Sequence, residues 1–175
     1  MKKHWVILAL LLLPFSAGFS QEGEWKEFAS KEGAFKVLFL GTPRTQEQKV
    51  RSAVGPLVNR LFVTQTAKEE AVYLVSYAEY PDEALKQYSP EQILDAARSG
   101  TVDNLKGKLL SDQKIMLAKI HPGREFKLEL PSAAQYRARI YLANKRLYQV
   151  VMVTASQELA SGKEADKFFD SFEVK

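Results

Sequence analysis

The sequence predicts a single α+β domain built on antiparallel strands with two helical segments, and three observations predict it. Strand-like runs such as LVNRLFVTQTA (57–67) and AVYLVSYAEY (71–80) follow one another across short polar links, which favours an antiparallel meander. Two segments, behind Ser89 and behind Ser161, instead repeat apolar residues at helical spacing after an N-cap pattern. No linker, repeat or low-complexity stretch divides the chain.

The first twenty residues are read apart from the fold. Lys2 and Lys3 precede the apolar run Val6–Leu13; Pro14 breaks it, and the small residues Ser16, Ala17, Gly18 and Ser20 follow. This is the layout of a secretory signal peptide, with cleavage expected after Ser20. The run is short of the roughly 20 apolar residues that a membrane span needs. Residues 21–175 are then one exported domain, periplasmic or extracellular, with no transmembrane segment after signal removal. A chain of that length buries about 70% of its unfolded surface and can fold without cross-links. Zero cysteines exclude disulfides, thiolate nucleophiles and cysteine-based metal sites. The formal charge of +4 falls by two when Lys2 and Lys3 are lost, and the remaining cations are interleaved with acids. No nucleic-acid footprint is present.

Along the domain, Trp25–Phe28 is a short strand, Ser30–Gly33 a turn, and Phe35, Val37 and Phe39 alternate in a second strand ending at Gly41-Thr42-Pro43. Thr45–Ser52 (TQEQKVRS) suits a charged edge strand. The run 71–80 is apolar on both parities, as expected of a central strand covered on both faces. Ser89, Pro90 and Gln92 form a capping box that opens a helix, whose buried stripe is Ile93, Leu94, Ala97, Thr101 and Leu105. Strands are predicted over Lys114–Ile120, Arg124–Leu130, Gln135–Leu142 and Arg146–Thr154, with Pro122-Gly123 as one turn and Asn144-Lys145 as another. Ser161–Glu164 predicts a second capping box, ahead of a helix that buries Ala165, Phe168, Phe169 and Phe172.

Three stretches, "FKVLFLGTP", "IHPGREFKLELP" and "YRARIYLANKRLYQVVMV" with a following "FFDSF", resemble the PsbP-like superfamily, which includes exported bacterial members and DcrB-like domains. The resemblance runs from about Trp25 to Phe172. It implies a central, mostly antiparallel sheet flanked by helices, a PsbP-like α/β/α sandwich, and an accessory or binding role without catalysis; fold alone does not choose a partner.

The chemistry of the residues agrees with that expectation. With the signal removed, His121 is the sole histidine, so one chain holds no multi-histidine metal site. No nucleophile elbow, phosphate-binding glycine loop or calcium loop is present. Glu125 and Glu129 share a strand face but stand about 13 Å apart, too far for a glycosidase pair. No cofactor is expected. The candidate partner-binding residues are Arg124, Arg137, Arg139, Tyr141, Arg146 and Tyr148. A two-residue turn at Asn144-Lys145 sets Tyr141 opposite Tyr148, Arg139 opposite Val150 and Arg137 opposite Met152. That gives an Arg/Tyr strip suited to an acidic partner, with pairing to Glu125 as its structural alternative. The function predicted is docking of an unknown protein or envelope component through this strip or a sheet edge. The alternatives are a carrier holding a small hydrophobic ligand beneath Phe168 and Phe169 and, more remotely, a hydrolase using His121.

Overall fold

The computed structural model describes residues 24–52, 54–66 and 70–175; the expected signal peptide, residues 1–20, lies outside them. In chain order the elements are β1 (Trp25–Ser30), β2 (Phe35–Leu40), β3 (Arg44–Ser52), β4 (Gly55–Gln65), β5 (Ala71–Glu79), α1 (Asp82–Gln87), α2 (Pro90–Leu105), β6 (Lys108–Leu117), β7 (His121–Glu129), β8 (Gln135–Ala143), β9 (Arg146–Thr154), α3 (Gln157–Ser161), α4 (Lys163–Asp170) and β10 (Glu173–Val174). Seven strands make the main sheet, in the order β3-β4-β5-β9-β8-β7-β6, and a small sheet has the order β1-β2-β10. Each of these neighbouring pairs is antiparallel. The result is the α+β class that the sequence predicts.

Alternation decides which side of the main sheet each residue serves. On one face Tyr73, Val75, Tyr77, Tyr141, Tyr148, Val150 and Met152 pack against Phe35, Val37 and Phe39 of β2 and Phe168 and Phe169 of α4. On the other, Leu61, Leu74, Phe126, Leu128, Tyr136, Ile140, Leu147 and Val151 pack against Ile93 and Leu94 of α2. β5 contributes to both cores, as its two-sided apolar pattern requires. One face is thus covered by the small sheet together with α4, in addition to the flanking helices that the resemblance implies. The cause lies in β2, whose odd residues are buried while Lys36 on the outside bonds Glu173 of β10 at 3.1 Å.

At α2 the local signals suffice. The Ser89 N–H donates to Gln92 Oε1 (2.8 Å) and the Gln92 N–H to Ser89 Oγ (3.2 Å), so two of the helix's unpaired donors are satisfied. Ser89→Ala is expected to lower stability by about 1 kcal/mol in urea denaturation, with an unchanged m-value.

Five features differ from expectation. Helix α1 lies between the run 71–80 and Ser89, where the sequence predicts no element; Asp82 and Glu83 sit in its first turn, where acids favour the helix N-terminus. The expected capping box at Ser161 does not form, because Ser161 ends α3 and donates to the Gln157 carbonyl instead; Gly162 caps α4. The two-residue strand β10 ends the chain beside β2. β6 begins at Lys108 rather than Lys114, behind a bulge at Leu109/Ser111 that shifts its alternation. Last, Pro122-Gly123 is not the turn. Ala118 and Lys119 take it with positive φ, the Ile120 N–H donating to the Leu117 carbonyl, and His121 already opens β7.

Candidate functional site

The β8–β9 hairpin turns on Asn144 and Lys145, both with positive φ, the combination that a type I′ turn needs. The register is the expected one: Tyr141 faces Tyr148, Arg139 faces Val150 and Arg137 faces Met152. The arginines and tyrosines of β8 therefore do share a face. That face is not turned to water. α4 lies over Arg137, and Phe172 beyond it and Phe35 of β2 lie over Tyr141 and Tyr148, leaving all three buried.

The covering is chemical as well as steric. Arg137 donates from Nε to Glu125 Oε1 (3.0 Å) and from a terminal nitrogen to Asp166 Oδ1 (2.8 Å). Arg139 donates to Glu125 Oε2 (2.7 Å) and Asp170 Oδ1 (2.6 Å). Both guanidinium groups stack on the Phe169 ring, at 4.6 and 5.4 Å from its centroid. Glu125 thus bridges two cations, and two acids of α4 hold their far sides. Burial alone disfavours the charge on Arg139, yet its bonds to Asp170 and Glu125 outweigh that and raise its pKa above the ordinary arginine value. Tyr141 stacks flat on Phe172, centroids 5.8 Å apart, and the Tyr148 hydroxyl donates to the Gly33 carbonyl at 2.8 Å. These groups join α4, the C-terminus and the turn after β1 to the sheet.

Arg124 does not join this strip. It points to the opposite face, where it pairs with Asp95 of α2 and with Asp112 of β6 at 2.8 Å, while Arg98 approaches the same Asp112 at 3.3 Å. Arg146 lies at the rim, 3.6 Å from Glu79 and over the Tyr77 ring. The six candidate residues therefore divide between the two faces: Arg124 stands on one, and on the other Arg137, Arg139 and Tyr141 lie with Tyr148, beside which Arg146 sits at the rim, all engaged within the protein.

The space beneath the aromatic helix is filled as well. Phe168 meets Tyr73 at 5.1 Å, Phe39 at 5.6 Å and Phe169 at 5.4 Å, all edge-on or tilted ring contacts. His121 pairs with Leu117 across the hairpin. Among the described residues, no three or more His, Asp or Glu side chains are grouped so as to hold a metal ion, and no helix is long and apolar enough to cross a membrane.

What the sequence reading missed is an edge. Among the described residues, five large apolar side chains are exposed, and four of them, Leu109, Leu110, Met116 and Ile120, lie on β6 or in its turn to β7. The sequence predicts this strand only from Lys114, because the bulge at Leu109/Ser111 breaks the alternation that would have extended it back to Lys108.

No protein-family model matches the chain, and no curated protein does. Among solved structures it is similar to the solution structure of cyanobacterial PsbP (CyanoP) from Synechocystis sp. PCC 6803, with a TM-score of 0.60 at 11% identity, over 93% of this chain and 99% of that one. A likeness this complete in length and this low in identity is one of fold: the chain has a PsbP-like fold.

Proposed function

We propose that the chain is an exported, non-catalytic accessory protein, matured by cleavage after Ser20, that docks a partner protein through a sheet edge. The observation that carries this reading is the contrast between the two candidate surfaces. The arginine heads of β8 are consumed by Glu125, Asp166 and Asp170, whereas β6 leaves apolar side chains and one side of its backbone open. In this reading Arg124, Arg137, Arg139, Tyr141, Arg146 and Tyr148 serve docking indirectly, by holding α2, α4 and the sheet in one rigid body. The carrier alternative loses its motivation, since Phe168 and Phe169 are packed against the protein's own rings.

Affinity capture from the native extracytoplasmic fraction, with the full chain 1–175 expressed in its own host as bait, tests the proposal. The expected result is a partner protein recovered stoichiometrically, with a bait of bare polypeptide mass beginning at Gln21. A bait that returns alone, or one that carries a small-molecule mass, would overturn it.

A further inference from the structure

Resting on that reading, we infer that β6 receives an extended, acidic segment of the partner as an eighth strand of the main sheet. The sheet has two edges, β3 and β6, and they differ. β3 carries Arg44, Lys49 and Arg51 with Glu47 among them, and Arg60 of β4 bonds that Glu47 at 2.6 Å, but unlike β6 it exposes no large apolar side chain among its described residues. β6 presents cations: Lys108, Lys114 and Lys119 of the following turn are all exposed. Its single acid, Asp112, is directed back toward Arg124 and Arg98. Asp112 is exposed as a residue although its side chain is only 18% so, which places the exposure on the main chain. An open backbone edge is a template for another strand.

Beyond the bulge, Ser111–Leu117 pairs without interruption with His121–Lys127 of β7. That gives a straight ladder of seven residues, about 20–24 Å at strand rise. Its outer side offers main-chain bonds along the whole length. The apolar neighbours fall on both faces: Met116 stands across from Pro122, while Ile115 and Leu117 stand across from Gly123 and His121. A strand that alternates its side chains to both faces can meet all of them. A lipid surface would engage one face or the tip alone.

Charge selects the kind of strand. A second copy would bring lysines against lysines with Asp112 turned away, and like charges facing each other are destabilising. The same lysines favour a segment in which glutamate or aspartate alternates with apolar residues. Lys114 is held by Glu91 of α2 at 2.6 Å, but both groups are about two-thirds exposed, and such pairs exchange at small cost. This is strand addition, in which main-chain bonds give affinity and alternate side chains give selectivity.

The test uses the ¹⁵N-labelled chain 21–175 and an eight-residue peptide of alternating glutamate and valine, with a lysine–valine peptide as control. The glutamate peptide is expected to slow amide hydrogen exchange within Ser111–Leu117 and to bind about ten-fold more tightly than the control. Lys108→Glu with Lys114→Glu should reverse that preference. Equal binding of the two peptides, protection confined to β3, self-association through β6, or attachment to phosphatidylglycerol vesicles in place of the peptide would each overturn the inference. Capture does not depend on the peptide. A captured partner that cross-links elsewhere would sink the β6 inference while the accessory reading stands; a bait that returns alone sinks that reading.

Discussion

Phe35→Ala is expected to lower the free energy of unfolding by about 3–5 kcal/mol, the range for deleting a fully buried phenylalanine. Its ring is 0% exposed and lies among five others: Phe62 at 5.3 Å, Phe172 at 5.7 Å, Phe28 at 6.1 Å, Tyr148 at 6.2 Å and Tyr77 at 6.3 Å. The spread in such costs depends on how far the surroundings collapse into the cavity, and here they are held. Ser30 Oγ accepts the Gly33 N–H at 2.9 Å, and the Gly33 carbonyl accepts the Tyr148 hydroxyl, fixing the turn beside the ring. A Cβ at Gly33 would overlap the rings of Tyr77 and Phe35, so the glycine is there for close packing. The loss is a large part of the 5–15 kcal/mol that stabilises a typical domain. Urea denaturation followed by tyrosine and tryptophan fluorescence measures it; Phe28→Ala, at a half-buried position, should cost less. A cost for Phe35→Ala below about 1.5 kcal/mol would mean that the core closes over the gap.

The elements legible from the sequence are those in which one local rule suffices. β2 and β5 follow from period two, α2 from its capping box, and the β8–β9 register from a two-residue turn. Where tertiary contacts choose between local options, the reading fails for identifiable reasons. Pro122-Gly123 has the composition of a turn, but a Cβ at position 123 would overlap Tyr141 and the Ile140 carbonyl. Glycine is needed there by the neighbouring strand, and proline is tolerated near the start of a strand. The turn falls instead on Ala118 and Lys119, which nothing in their composition marks. Parity correctly grouped Arg137, Arg139 and Tyr141, yet parity says which residues share a face and not what lies over it. Asp166 and Asp170 were the available signal. They stand four residues apart on α4, flanking Phe168 and Phe169, and so present two acids beside the aromatic stripe.

The arginine cluster carries the second large effect. Arg137→Ala is expected to cost about 3–5 kcal/mol, because it removes one partner of a buried charge instead of a surface pair. Glu125, whose side chain is 10% exposed, would keep only Arg139, while α4 would lose its bond from Asp166 and the cation stacked on Phe169. Replacing both charges, with Arg137→Met and Glu125→Gln together, should recover part of the loss, since the buried carboxylate that lacks its second cation is gone and Arg139 keeps Asp170. Asp166→Asn should cost far less, as that carboxylate is half-exposed. Denaturant midpoints of these three variants and the parent separate these cases. A cost below about 1 kcal/mol for Arg137→Ala would place the pair with exposed ion pairs and return the strip to solvent. The same measurement governs how a binding defect is to be read. If Arg137→Ala loses the captured partner along with its stability, the arginine acts by holding α4 on the sheet. If it loses the partner while remaining as stable as the parent, β8 and not β6 is the docking surface.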